Sequence, residues 1–297
     1  MRLLAAVPRV LTPLALLAAV LGLALPSPTL AAHSDLLLAL LVLATALGIS
    51  FADLARLREH ARAVLVLSLL PLPILVGAAW LLGRPFAPDI QDGLLAVGFS
   101  SSEVAAVGLV ALAGADATIA LGALTGSLVL AAIVGPLAIG PLSGAVVHVG
   151  SGGLLGRFAL VVIVPLIVGV ALRSRPAFVS RLATVDAERE GVAALTVAVL
   201  VYAALSGTHG AHHLGAALLA SVTFLVVCAC LAELWRRIDS GHASAIPGAF
   251  AIAMRDFAVA AALATQAFGT NAGTVPGVYG VVMLVAAAIA AGRFSRG

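Results

Sequence analysis

The chain has 297 residues; 62% are hydrophobic and only 10% carry a formal charge, 16 basic against 13 acidic. A soluble globular chain is about a quarter charged, and a disordered one needs more charge and less apolar surface, so neither an ordinary cytosolic enzyme nor a disordered protein fits. A mean hydropathy of +1.19 over the whole length reads as a polytopic membrane protein. Every basic residue is an arginine, which in a chain this rich in Ala, Leu, Val and Gly reads as a GC-rich coding bias. The net charge of +3 carries no nucleic-acid signal. Cys228 and Cys230, two apart in an apolar run, support neither a disulfide framework nor a zinc site.

A spanning helix needs about 20 mostly apolar residues. In chain order the candidates are segments 1 to 10: 9–30, 34–52, 62–83, 92–115, 117–145, 155–173, 191–207, 212–235, 246–268 and 274–292. Their short connections leave no room for a soluble domain. Segment 1 has a second reading as a cleavable signal peptide, with Arg2 and Arg9 before the apolar stretch and Thr29-Leu30-Ala31-Ala32 as a cleavage site. Its removal would break a five-plus-five layout, so residues 1–32 are taken as retained. Gly135-Pro136, Pro141 and Pro165 predict bends in segments 5 and 6. The link Thr184–Glu190, of mixed charge, predicts a solvated helix start.

Arginine positions test this count. With the N-terminus in the cytoplasm, Arg2, Arg9, Arg56, Arg58, Arg62, Arg173, Arg175, Arg181, Arg189, Arg236, Arg237, Arg293 and Arg296 fall inside. Only Arg84 and Arg157 fall outside, and Arg255 lies within a span. That is a strong positive-inside bias, which a miscounted helix would destroy. The expectation is an integral protein of a bacterial inner membrane with both termini cytoplasmic. The Gly-rich link Gly150–Gly153 divides the chain into residues 1–149 and 150–297, five segments each. An odd number per half inverts the second half relative to the first, as in many secondary transporters with a midplane substrate site. The predicted fold is therefore all-α: ten transmembrane helices in two inverted five-helix repeats.

Segments 4 and 9, at corresponding places in the halves, carry the charges at depth. Glu103 lies eleven residues past Asp92, and Arg255 and Asp256 lie nine and ten past Ile246. At about 1.5 Å per residue, all three come near the centre of a hydrocarbon core about 30 Å thick. Ionisable groups there usually mark a transport pathway; a buried Glu103–Arg255 ion pair that merely pins the halves is the structural alternative. Ser100, Ser101 and Ser102 offer hydroxyls where a broken helix must resatisfy its backbone, although serines also bond to their own helix.

The run Gly98-Phe99-Ser100-Ser101-Ser102-Glu103-Val104-Ala105-Ala106, within Gly93–Pro141, resembles helices 4 and 5 of the bile acid:sodium symporter family. Met254-Arg255-Asp256-Phe257-Ala258-Val259-Ala260-Ala261-Ala262-Leu263-Ala264, then Val275-Pro276-Gly277, resembles that family's helices 9 and 10. This resemblance implies panel and core domains interleaved across both halves, crossed and unwound helices 4 and 9, and organic-anion transport by alternating access. The departures carry as much. Ser101, Ser102 and Glu103 stand where the family has Pro-Gly-Gly, and Ala106 and Val107 where it has a sodium-binding Ser-Asn. Ala120, Leu124 and Ala251 stand at further sodium-ligand positions, and Arg255 and Asp256 at a Gln-Asn pair. Hard cations need oxygen ligands that alanine, valine and leucine side chains lack, so both family sodium sites read as dismantled.

The expected function is a secondary transporter of a small organic anion, sodium-independent and either proton-coupled or facilitative, with no cofactor and no metal. Arg255, with Ser100, Ser101 and Ser102, would bind the substrate, since a guanidinium suits a carboxylate, sulfate or phosphate. Glu103 and Asp256 would couple protons, with Glu103, taken as farther from Arg255, favoured as the carrier and Asp256 orienting Arg255. Two alternatives remain: a cation/proton antiporter using Glu103 and Asp256, and a non-transporting receptor on the same scaffold. An enzyme is not expected, because no His-Glu-x-x-His or Gly-x-Ser-x-Gly occurs and no catalytic histidine lies at depth. His209, His212 and His213 have metal-ligand spacing but no acidic or cysteine partner nearby, and with His33 and His148 they read as interfacial. Gly122–Gly126 and Gly273–Gly277 predict close helix packing.

Overall fold

The computed structural model describes residues 11–27, 29–30, 33–143, 150–175, 177–178, 186–206 and 211–294. Among them regular structure is helical, apart from one isolated β-bridge. The first half contains α1 (Leu11–Ala24), α2 (Ser34–Ala46), α3 (Phe51–Arg56), α4 (Ala61–Leu69), α5 (Pro71–Gly83), α6 (Pro88–Phe99), α7 (Val104–Leu112) and α8 (Ala117–Ser143). The second contains α9 (Ser151–Phe158), α10 (Val164–Arg173), α11 (Asp186–Ser206), α12 (Ala211–Ile238), α13 (Ala245–Ala253), α14 (Phe257–Phe268) and α15 (Thr274–Phe294).

Six helical stretches among the described residues are long and apolar enough to cross a membrane: Phe51–Gly83, Ala117–Ser143, Ser151–Arg173, Glu188–Ser206, Leu214–Ile238 and Thr270–Ala287. The chain is an all-α protein with the helices of an integral membrane protein. The other four predicted segments also fall on helix, but without that continuous length. Helices α1 and α2 have 14 and 13 residues. Segment 4 is cut into pieces of 12 and 9 residues, and segment 9 into pieces of 9 and 12.

Proline placement explains part of the irregularity. Pro165 is preceded by a π-helical turn, Ala159–Ile163, that joins α9 to α10. A proline lacks an N–H and its ring crowds the carbonyl four residues back, and a wider turn relieves both. Pro136 and Pro141, by contrast, lie inside α8, whose helical assignment runs through both.

Helix α1 packs on α11, α11 on α2, and α2 on α10; α6 lies against α5, α8 and α14, and α13 against α12 and α8. The predicted small-residue pairs act at helix contacts. A Cβ on Gly122 would come within 2.7 Å of Val64, and one on Gly126 would strike Ser68, so bare backbone is what lets α8 approach α4. Gly273 and Gly277 likewise meet Thr265, Ala204 and Leu205.

The helix start at Asp186 is more than a solvated end. Asp186 pairs with Arg173 at 3.2 Å and Arg189 at 3.3 Å, and Arg189 donates to the Ala44 carbonyl at 2.8 Å. Its mixed charges neutralise one another and tie the ends of α2, α10 and α11 together. At the other end of α2, Asp35 pairs with Arg157 at 2.6 Å and accepts from Gln266 of α14 at 2.5 Å.

Candidate functional site

Helix α6 stops at Phe99 because Ser100 turns extended, at φ −68° and ψ 164°, its hydroxyl donating back to the Val97 carbonyl at 2.7 Å. The chain resumes helix after Glu103, itself extended at φ −76° and ψ 141°. Helix α13 stops the same way at Met254 (φ −112°, ψ 111°), and α14 starts after Asp256 (φ −72°, ψ 102°).

The two extended stretches run antiparallel and satisfy each other. Ser102 and Arg255 form the bridge; the Glu103 N–H donates to the Met254 carbonyl at 3.0 Å, and the Asp256 N–H to the Ser101 carbonyl at 2.9 Å. Broken backbone in an apolar interior must find such partners, and each break supplies the other's. Flanking helices take what is left over. The Ser102 N–H donates to Ser127 Oγ of α8 at 3.0 Å, and the Arg255 N–H to the Tyr279 hydroxyl of α15 at 3.4 Å. Gly280, one residue on, lets α15 close over the Phe257 ring, which a Cβ there would meet within 2.8 Å of Cδ2.

Both acids are helix N-caps. Asp256 Oδ1 accepts from the Ala258 and Val259 N–H groups at 2.9 and 3.0 Å. Glu103 Oε1 accepts from the Val104 N–H at 3.1 Å, whereas its Oε2 is buried without a hydrogen-bond partner. The Ser101 hydroxyl faces Asp256 without reaching hydrogen-bond geometry.

Arg255 is 2% exposed and, among the described residues, is the largest fully buried side chain. Among the described residues its guanidinium forms no ion pair, and Nε has no hydrogen-bond partner. It faces Cys228 of α12 and Tyr279 of α15 as well as Asp256. Asp256 forms no ion pair with Arg255: the carboxylate points its bonds along α14. Nor does a Glu103–Arg255 pair form.

All six predicted site residues, Ser100, Ser101, Ser102, Glu103, Arg255 and Asp256, are buried at this crossing. Ser127, Tyr279 and Cys228 also belong to it and were missed. Their signal was faint: each is one of several scattered polar residues in segments 5, 10 and 8, with nothing to mark it from the others. Ala106, Ala120, Leu124 and Ala251 are buried. Among the described residues no group of three His, Cys, Asp or Glu comes together. His209 and His148 lie outside the described residues, as do the side chains of His212 and His213. The crossing thus offers one fixed positive charge with free donors, two carboxylates, and hydroxyls between them. No family model matches the chain, and no curated protein matches it.

Proposed function

We propose that this protein is a secondary transporter that moves a small organic anion across a cell membrane by alternating access, without sodium and either coupled to protons or facilitative. The observation that carries this reading is Arg255, a buried guanidinium without an ionic partner at the meeting point of two interrupted helices. Desolvating a charge costs several kcal/mol, and a residue bearing that cost without a counter-charge has its partner supplied from outside the chain. Carboxylate, sulfonate or phosphate groups match its planar fork. The half-helix termini do not compete for this anion, because Asp256 and Glu103 already cap α14 and α7.

The wider proposal follows the family resemblance. Ten spans form two inverted repeats, 1–149 and 150–297, with both termini cytoplasmic. The 12-residue halves α6 and α14 pack together, as do the 9-residue halves α7 and α13, which is the pairing an inverted repeat produces. Glu103 is the proton carrier, since its Oε2 is uncommitted.

Uptake of labelled organic anions into proteoliposomes tests this. The expected result is uptake that persists without sodium and is lost in Arg255→Gln. Uptake that requires sodium and ignores Glu103→Gln overturns it. A second reading, cation/proton exchange, is favoured by the two carboxylates buried at one crossing; it predicts exchange that survives Arg255→Gln.

A further inference from the structure

A cavity of about 500 Å³ lies at the end of the molecule where Arg62 of α4 and Trp235 near the C-terminus of α12 converge. That volume is many times the roughly 30 Å³ of one water molecule's share of the liquid. Its mouth is charged on both sides. His60 Nε2 lies 3.3 Å from Asp116, and His242 Nδ1 lies 3.3 Å from Asp239, which also accepts from Ser244 Oγ at 2.6 Å. Glu59 and Arg62 stand exposed at the rim.

The floor is chemically opposite. Ile119, on the lining, belongs with Leu67, Ala123 and Ala251 to a small apolar cluster separate from the main core, each no more than 3% exposed, against which the lining residues Ala63 and Trp235 also pack. Gly248 lets Trp235, on the lining, and Leu67 pack closely behind it: a Cβ there would strike the Trp235 indole and come within 2.8 Å of Leu67. Beyond the floor the chemistry turns polar again after one helical turn. Ser127 follows Ala123 by four residues on α8, and Arg255 follows Ala251 by four along α13 and its break, a rise of about 6 Å. Ser127 is the residue that holds the Ser102 N–H at the crossing.

A charged cavity and a polar crossing are thus separated by one small apolar cluster. We propose that the cavity is a water-filled vestibule that brings protons from the arginine-rich face to Glu103, and that Leu67 and Ile119 are its hydrophobic gate. Water passes such a layer when two side chains change rotamer, whereas an organic anion requires the helices themselves to part. The vestibule therefore serves the proton and not the anion. The proton travels through water and ends on the Glu103 carboxylate; no other bond is made or broken. This inference rests on the proposed role of Glu103 as proton carrier.

The test is cysteine accessibility in the full chain in membrane vesicles, on a Cys230→Ser background, with a membrane-impermeant methanethiosulfonate. Ala63→Cys, on the cavity wall, should react readily, and Ala251→Cys, in the floor, at least tenfold more slowly. Adding Ile119→Ala, or Leu67→Ala should the first fail to fold, should raise the Ala251→Cys rate at least tenfold. In proteoliposomes the same change should open a proton leak that Glu103→Gln removes. Equal reactivity of the two cysteines, no rise on trimming the gate, or a leak that ignores Glu103→Gln overturns the proposal. Labelling requires no transport, so a failed gate with intact Arg255-dependent uptake refutes the vestibule alone, and the reverse result refutes the anion reading alone.

Discussion

Between α6 and α7 the chain runs extended through Ser100, Ser101, Ser102 and Glu103; between α13 and α14 it does so only through Met254, Arg255 and Asp256. Both breaks end in an acid that caps the following helix, but the acids are used unequally. Asp256 takes two backbone N–H groups on a single oxygen, while Glu103 takes one and leaves Oε2 bare. The difference assigns them different work. Asp256 holds α14 in place, and Glu103, in the proposed mechanism, keeps an oxygen free for a proton. Arg255, lying beside Asp256 in sequence, is paired with neither.

The largest expected effect separates binding from folding at the second break. Arg255→Gln should weaken anion binding about 100-fold, roughly 2.8 kcal/mol at 1.4 kcal/mol per tenfold, without lowering the melting temperature in detergent, because it removes a buried charge without an ionic partner. A fall in melting temperature with binding intact would make Arg255 structural and break the contrast. Next comes Asp256→Ala, which should destabilise the protein by about 2 kcal/mol, the upper end for loss of an N-cap, with much of it restored in Asp256→Asn. Chemical denaturation monitored by tryptophan fluorescence reads this. Smallest is Glu103→Ala, about 1 kcal/mol or less, because a single N–H is lost. If Glu103→Ala proves as costly as Asp256→Ala, the unequal use of the two acids is wrong.

Much of this site was legible beforehand. Serines and charges in an apolar chain stand out because each is expensive there, and so Ser100, Ser101, Ser102, Glu103, Arg255 and Asp256 could be named together. An acid immediately before an apolar run, as at Asp256-Phe257, is also a local N-cap signal, and reading it that way would have anticipated the cap. Ser127 and Tyr279 were beyond such reasoning. Their role is to take N–H groups from backbone 25 and 24 residues away, and nothing in their own neighbourhoods announces it.

Composition and hydropathy by themselves determined the membrane class, the helical segments, and the short set of buried charges. These follow from transfer free energies, which each residue contributes wherever the chain places it. Six of the segments also have the continuous length to span a bilayer. The low charge content that marks the whole chain leaves a remainder at one crossing, and only the tertiary structure decided how that remainder is arranged. Which acid caps, which oxygen stays bare, and that Arg255 goes unpaired depend on two breaks about 150 residues apart meeting as one antiparallel bridge. Pairing across that distance is set by helix packing and has no local signature.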